Sequence, residues 1–221
     1  MKHTLEIDSV LLDFKGRMVL QNVYLKCETG QVTGLLGRNG EGKSSLMKII
    51  FGELSPIDKS VRIDNCTLLG GHRNPNDIKY LSQTHFVPGS LKVKRTFDDF
   101  KVDYNEFQDA FPEFNAFYYE KVKKLSGGLR RLLEVYLIIK SKTKFCLLDE
   151  PFTHIMPKHV MVMKSLIHKE KENKGIVVSD HLYKDIMDIS DTIYLIKDGR
   201  VFPVEGTDEL KKQGYITGNF T

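Results

Sequence analysis

The chain has 221 residues, 41% of them hydrophobic, and a net charge of +4 from 33 Lys and Arg against 29 Asp and Glu. This is ordinary for a soluble globular protein and leaves enough apolar side chains for a core, in one large α/β domain or two small ones. The charge is too weak to argue for a nucleic-acid partner, and none is expected. Three scattered cysteines, Cys27, Cys66 and Cys146, have neither metal-ligand spacing nor the look of a disulfide framework, which points to a reducing compartment. No apolar run approaches the roughly 20 residues that cross a bilayer, and Met1 to Glu6 does not resemble a signal peptide. Any membrane association is expected to come through a partner.

Thr4 to Phe14 and Met18 to Glu28 read as two strands around the turn Lys15-Gly16-Arg17. The apolar run Val32 to Leu36 then leads into Gly37-Arg38-Asn39-Gly40-Glu41-Gly42-Lys43-Ser44-Ser45 and a short helix from Leu46. A strand, a Gly-x-x-x-x-Gly-Lys-Ser loop and a helix form the phosphate-binding P-loop pattern. Glycines let successive N–H groups turn inward, and the helix N-terminus adds free N–H groups and partial positive charge. Lys43 is expected at the terminal phosphates and the Ser44 hydroxyl on a magnesium ion. The pattern implies a nucleoside triphosphate ligand.

Short strands are expected at Ser60–Ile63 and Cys66–Leu69, and another over Ile78–Gln83. From Thr84 the texture changes, and Lys92 to Lys124 is a charged, aromatic-rich stretch, with rings from Phe97 to Tyr119, read as a small helical insert packing on itself. Its exposed edge is a candidate docking surface. After Leu125-Ser126-Gly127-Gly128, Leu129 to Lys140 reads as a helix. Phe145 to Leu148 reads as a buried parallel strand before Asp149-Glu150. A surface helix over His159–Glu172, a buried strand over Gly175–Ser179 ending at Asp180-His181, a helix, a strand over Thr192–Lys197, and a last strand and helix complete the chain. Alternating strands and helices imply an α/β fold with ligands at the carboxyl edge of a mostly parallel sheet.

The ordered set of elements resembles the ATP-binding cassette (ABC) nucleotide-binding domain, from Phe14 to about Glu209. Gln83 resembles that family's Q-loop, Leu125 to Gly128 its signature loop, Phe145 to Glu150 its Walker B segment, and His181 its switch histidine. The Ser-Gly-Gly turn between P-loop and Walker B is the specific part. The resemblance implies one domain over residues 1–221, with a core of 1–83 and 125–221 and a helical subdomain of 84–124. It implies ATP and Mg2+ as ligands, with Phe14 against adenine and Gly37, Arg38, Asn39, Gly40, Glu41, Gly42, Lys43, Ser44 and Ser45 around the phosphates. Ser44, Gln83 and Asp149 are expected to serve the metal, and Glu150, Gln83 and His181 the hydrolysis. Structural alternatives stay open for several: a core position for Phe14, an ion pair for Glu150, a structural role for His181, a helix cap for Ser126.

Two copies of such a domain pair head-to-tail, so that Ser126, Gly127 and Gly128 of one cap the ATP held by the other. The expected partners are therefore a second ABC ATPase subunit, as homodimer or heterodimer, and a separate transmembrane permease. The expected location is the cytoplasmic face of a membrane. Two positions depart from the family pattern. Leu129 stands where a polar residue is usual, and Met156 stands where an interface aspartate is usual. Hydrolysis is expected to survive both.

Overall fold

A computed structural model of the chain describes residues 1–69 and 74–216. Strands β1 (Thr4–Phe14) and β2 (Arg17–Glu28) form an antiparallel hairpin. Their alternating buried and partly exposed positions give one face to the core, as period-two patterning requires. Next come β3 (Val32–Leu36), α1 (Lys43–Phe51), β4 (Asp58–Ile63), β5 (Cys66–Thr67) and β6 (Ile78–Leu81). The fifth strand is shorter than expected, and β6 ends two residues before Gln83, which leaves that side chain free of the ladder.

Helices α2 (Val93–Phe100) and α3 (Tyr104–Ala110), with short 3-10 turns at Pro112–Phe117 and Val122–Lys124, make up the aromatic stretch. The chain continues with α4 (Gly127–Lys140), β7 (Phe145–Asp149), α5 (Pro157–Glu170), β8 (Gly175–Ser179), α6 (Tyr183–Ile189), β9 (Thr192–Lys197), β10 (Arg200–Val204) and α7 (Thr207–Lys212).

Among the described residues two sheets form. One is antiparallel in the order β2-β1-β4-β5, and the other runs β10-β9-β3-β8-β7-β6. In the second sheet only the β10–β9 pairing is antiparallel. Every residue of β3, β7 and β8 is buried, which is why these segments read as unbroken apolar runs rather than alternating ones. Their side chains still alternate between layers. Leu36, Cys146, Leu148 and Ile176 face the helices, while Leu35, Phe145, Leu147 and Val177 face α1 and the antiparallel sheet.

The aromatic insert packs on more than itself. Phe107 stacks against Phe97, Phe111 and Phe114, and its ring centroid also lies 4.7 Å from that of Tyr136 on α4. These rings are continuous with the apolar layer under the main sheet. Burying each such side chain contributes about 1.5–3 kcal/mol, so the insert is anchored to α4 by substantial apolar burial. His159, expected on a surface helix, is buried against the same layer, edge-on to Phe111 and paired with Glu113 at 2.5 Å.

Strands β3, β8, β7 and β6 are adjacent and parallel, so their carboxyl ends share one edge. The P-loop, Asp180-His181, Asp149-Glu150 and Gln83 leave from these four ends.

Candidate functional site

The loop between β3 and α1 is shaped by its glycines. Gly40 and Gly42 take left-handed conformations, with φ of 85° and 103°. A Cβ at Gly37 would lie 2.9 Å from the backbone oxygen of Ile196, so the loop crosses the sheet edge too closely for a side chain. Gly42 caps α1 without a side-chain hydrogen bond, leaving the first-turn N–H groups for an incoming anion. A cavity of about 520 Å³ opens here, lined by Phe14, Asn39, Lys43, Ser44, Gln83 and Glu150 among others.

Lys43 is buried and donates from Nζ to the backbone oxygens of Gly37 at 2.7 Å and Arg38 at 3.1 Å. Burial lowers its pKa, against the opposing pull of Glu150 and Asp149. The ammonium is thus parked on its own loop, where a phosphate would offer stronger acceptors. Gln83 donates from Nε2 to Ser44 Oγ at 3.0 Å. Asp149 is held from both sides: Ser179 Oγ donates to Oδ1 at 2.9 Å and Tyr80 OH to Oδ2 at 3.2 Å. Burial, with the neighbouring carboxylate second, pushes the Tyr80 hydroxyl pKa up, which keeps it a donor.

These residues fit a nucleotide with magnesium. The Ser44 hydroxyl and the Gln83 amide lie side by side, and no cluster of three acidic, histidine or cysteine side chains forms a metal cage among the described residues. Magnesium needs few protein ligands where phosphates and waters complete its shell.

Glu150 follows β7 in a left-handed conformation with φ of 50°, which costs a non-glycine residue about 1–2 kcal/mol. Its N–H donates to the Ser179 oxygen at 2.7 Å. Arg131 on α4, also buried, donates to the backbone oxygens of Asp149 at 2.6 Å, Glu150 at 3.0 Å and Ser82 at 2.6 Å. Burial lowers the Arg131 pKa, with Glu134, Asp149, Glu150 and Asp180 opposing. One helical turn on, fully buried Glu134 accepts from the N–H groups of Phe86 and Val87 at 3.2 and 3.1 Å and pairs with His85 at 2.8 Å. Arg131, Glu134, Tyr80 and Ser179 escaped the sequence reading. Charged residues in a polar-and-apolar helix give no sign of which backbone they will meet.

The remaining expected residues divide. Phe14 is 49% exposed and lines the cavity, which removes the core alternative for it. Ser45 lines the cavity too, whereas the Arg38 side chain donates to the Gly214 oxygen at 2.9 Å and Glu41 accepts from the Asp198 N–H at 2.9 Å. These two contribute their backbone to the loop while their side chains brace it. His181 is exposed beside Asp180, with 3.3 Å between Nδ1 and Oδ1, and does not line the cavity. Ser126 caps α4 by accepting from the Leu129 N–H at 3.3 Å. The three signature residues are also outside the P-loop cavity of their own chain. Gly127 instead lines a separate cavity of about 340 Å³, together with Gln83, Arg131 and Glu150 among others.

A family model described as ABC transporter matches residues 20–153. The chain belongs to the ABC transporter family. It is 29% identical over 240 residues to the lipopolysaccharide export system ATP-binding protein LptB of Escherichia coli (strain K12), covering 98% of either chain. It is 28% identical over 223 residues to the galactose/methyl galactoside import ATP-binding protein MglA of Clostridium perfringens (strain SM101 / Type A), covering 93% of this chain but 43% of that relative. Among solved structures, an ATP binding subunit of an ABC transporter superposes with a TM-score of 0.80 at 20% identity, covering 95% and 93% of the two chains. A bacterial Atm1-family ABC exporter with ATP bound gives 0.81 at 19%, covering 97% of this chain and 41% of the other. The α/β fold expected from the sequence is the ABC ATPase fold.

In this ABC chain the two departures have distinct settings. Leu129 packs against the helical-side core, and Met156 is 50% exposed at the start of α5, where its side chain makes no cap.

Proposed function

We propose that the chain is the ATP-hydrolysing subunit of a membrane transporter, acting as one half of a head-to-tail pair. The observation that carries this reading is the convergence of Lys43, Ser44, Gln83 and Glu150 on one cavity that excludes the same chain's signature loop. A nucleotide seated on the P-loop leaves its γ-phosphate open to a second subunit, whose Ser126, Gly127 and Gly128 offer N–H groups and a hydroxyl at the start of a helix. Phe14 presents its ring to adenine. The glycine loop and Lys43 bind the phosphates. Ser44, Gln83 and Asp149 would hold magnesium, which would supply neutralisation of the charge that develops on the phosphates.

Glu150 accepts the proton of the attacking water as the bond to the γ-phosphorus forms and the bridging oxygen leaves with ADP. His181 reaches the γ-phosphate when the pair closes. Residues 1–221 act as a single domain, with 84–124 as the subdomain that meets a membrane-embedded permease. Among the described residues no helix is long and apolar enough to cross a membrane. That partner holds the chain at the cytoplasmic face.

ATPase activity of the purified chain beside Glu150→Gln, with sizing in ATP and magnesium, tests this. Turnover in the wild type and an ATP-stabilised dimer in the variant are expected. ATP binding with neither turnover nor dimer favours a second reading, an ATP sensor or regulatory chain with weak turnover that needs a different cassette as its mate. Core-packed Leu129 and uncapped Met156 favour that reading.

A further inference from the structure

The contacts of Arg131 join three things the hydrolytic reading treats separately. Its guanidinium bonds the backbone immediately before Gln83, the backbone of Asp149, and the backbone of Glu150 itself. Arg131 lies one helical turn after Gly127, on the helix that begins at the signature loop. It does not line the P-loop cavity. It lines the smaller cavity together with Gly127, Gln83 and Glu150.

We infer that Arg131 is a positioning residue for hydrolysis: its buried guanidinium fixes the backbones that carry Gln83 and Glu150 as one unit attached to the first turn of α4. The inference rests on the hydrolytic reading above. Its physical basis is specific. Glu150 holds a left-handed conformation, and the backbone carbonyls on both sides of its N–Cα–C unit accept from one planar cation. A guanidinium has five donors in a fixed fork, so one side chain can hold three carbonyls in a set arrangement, which a lysine cannot. Two of these bonds go to segments 18 and 19 residues distant in sequence and the third to one 49 residues distant. The helix therefore transmits any displacement of the signature loop to the water-activating carboxylate of its own chain. A shift on the order of 1 Å in such a group costs about 100-fold in rate.

The test is steady-state MgATP hydrolysis by wild type, Arg131→Met, Arg131→Lys, Glu150→Gln and the double variant Arg131→Met/Glu150→Gln, with melting curves for each. Arg131→Met is expected to lower kcat about 30- to 100-fold, with KM raised by less than the roughly tenfold loss expected of removing Gln83 itself, because the guanidinium holds backbone and does not line the P-loop cavity. Arg131→Lys recovers part of the loss. The double variant is expected to be no slower than Glu150→Gln alone, since residues acting through one another are non-additive. If Arg131→Met does not fold, Arg131→Lys and its double variant carry the same split and the same non-additivity. A folded Arg131 variant with unchanged kcat overturns the inference, as does a double variant slower by the product of the two single effects. A wild type without turnover overturns the hydrolytic reading and this inference together.

Discussion

Gln83 donates to the Ser44 hydroxyl across 3.0 Å, joining the end of one parallel strand to the first turn of the helix that follows another. In the proposed function these two side chains hold the metal ion of the nucleotide. Ser44→Ala and Gln83→Ala are each expected to weaken ATP binding about tenfold in magnesium, equivalent to about 1.4 kcal/mol, while leaving metal-free ATP binding nearly unchanged. Calorimetry in magnesium and in EDTA measures both. Equal losses in the two buffers would remove the metal role from the pair.

Lys43 separates binding from stability. Its ammonium is buried and, among the described residues, bonds two carbonyls of its own loop. Lys43→Met keeps the aliphatic stem and removes a desolvated charge. We expect ATP affinity to fall at least about tenfold while the melting temperature holds or rises, the usual outcome when a group is kept for function at a cost in stability. Nucleotide titration and thermal unfolding of the free protein decide it.

The two signature glycines are not equivalent. A Cβ at Gly128 would lie 2.5 Å from the backbone oxygen of His154, whereas one at Gly127 meets nothing within 4 Å. Gly128→Ala is expected to destabilise the fold by about 1–3 kcal/mol, and Gly127→Ala to change it by less than about 0.5 kcal/mol. Denaturant midpoints read the difference. Loss of turnover in a stable Gly127→Ala protein then reports on the second subunit's nucleotide.

Asp180 is fully buried, its Oδ2 has no hydrogen-bond partner, and burial raises its pKa above 3.8 despite the Leu182 N–H and nearby His181. Lys43 and Arg131 also face it. A carboxyl that holds its proton more tightly when folded makes the fold less stable as pH rises through the interval between its unfolded and folded pKa values. The cost is therefore present above the folded value and vanishes as pH falls below the unfolded one. Asp180→Asn should stabilise the chain at pH 7 by about 1 kcal/mol, the scale of one unsatisfied buried polar group, with the gain shrinking toward pH 4. Urea unfolding at both pH values tests the sign.

Met156 stands at the N-cap of α5 with the extended backbone a cap requires and no side-chain acceptor. Met156→Asp supplies one and is expected to add about 0.5–2 kcal/mol of stability. It also restores the interface carboxylate usual in the family, so turnover or cooperativity in ATP should rise. Unchanged steady-state kinetics in the more stable protein would assign Met156 no part in the pairing.

The sequence shows the P-loop, the strands that feed it, and the family. Those features are local: a glycine spacing is set by the turns it must make, and the apolar runs of β3, β7 and β8 by burial on both faces. It also placed Gln83, Asp149, Glu150 and His181 at strand ends, because polar residues directly after an apolar run mark where a buried strand stops. The tertiary structure places β6, β7, β8 and β3 side by side, which brings residues more than a hundred positions apart to one edge. It alone showed that Phe14 faces a cavity, that the side chains of Arg38 and Glu41 brace the loop, and that His159 is buried. Arg131 and Glu134 were invisible earlier for a physical reason. A side chain that binds backbone carbonyls or N–H groups recognises no residue type, so nothing in the partner's sequence announces the contact; it exists only once the chain has folded around it.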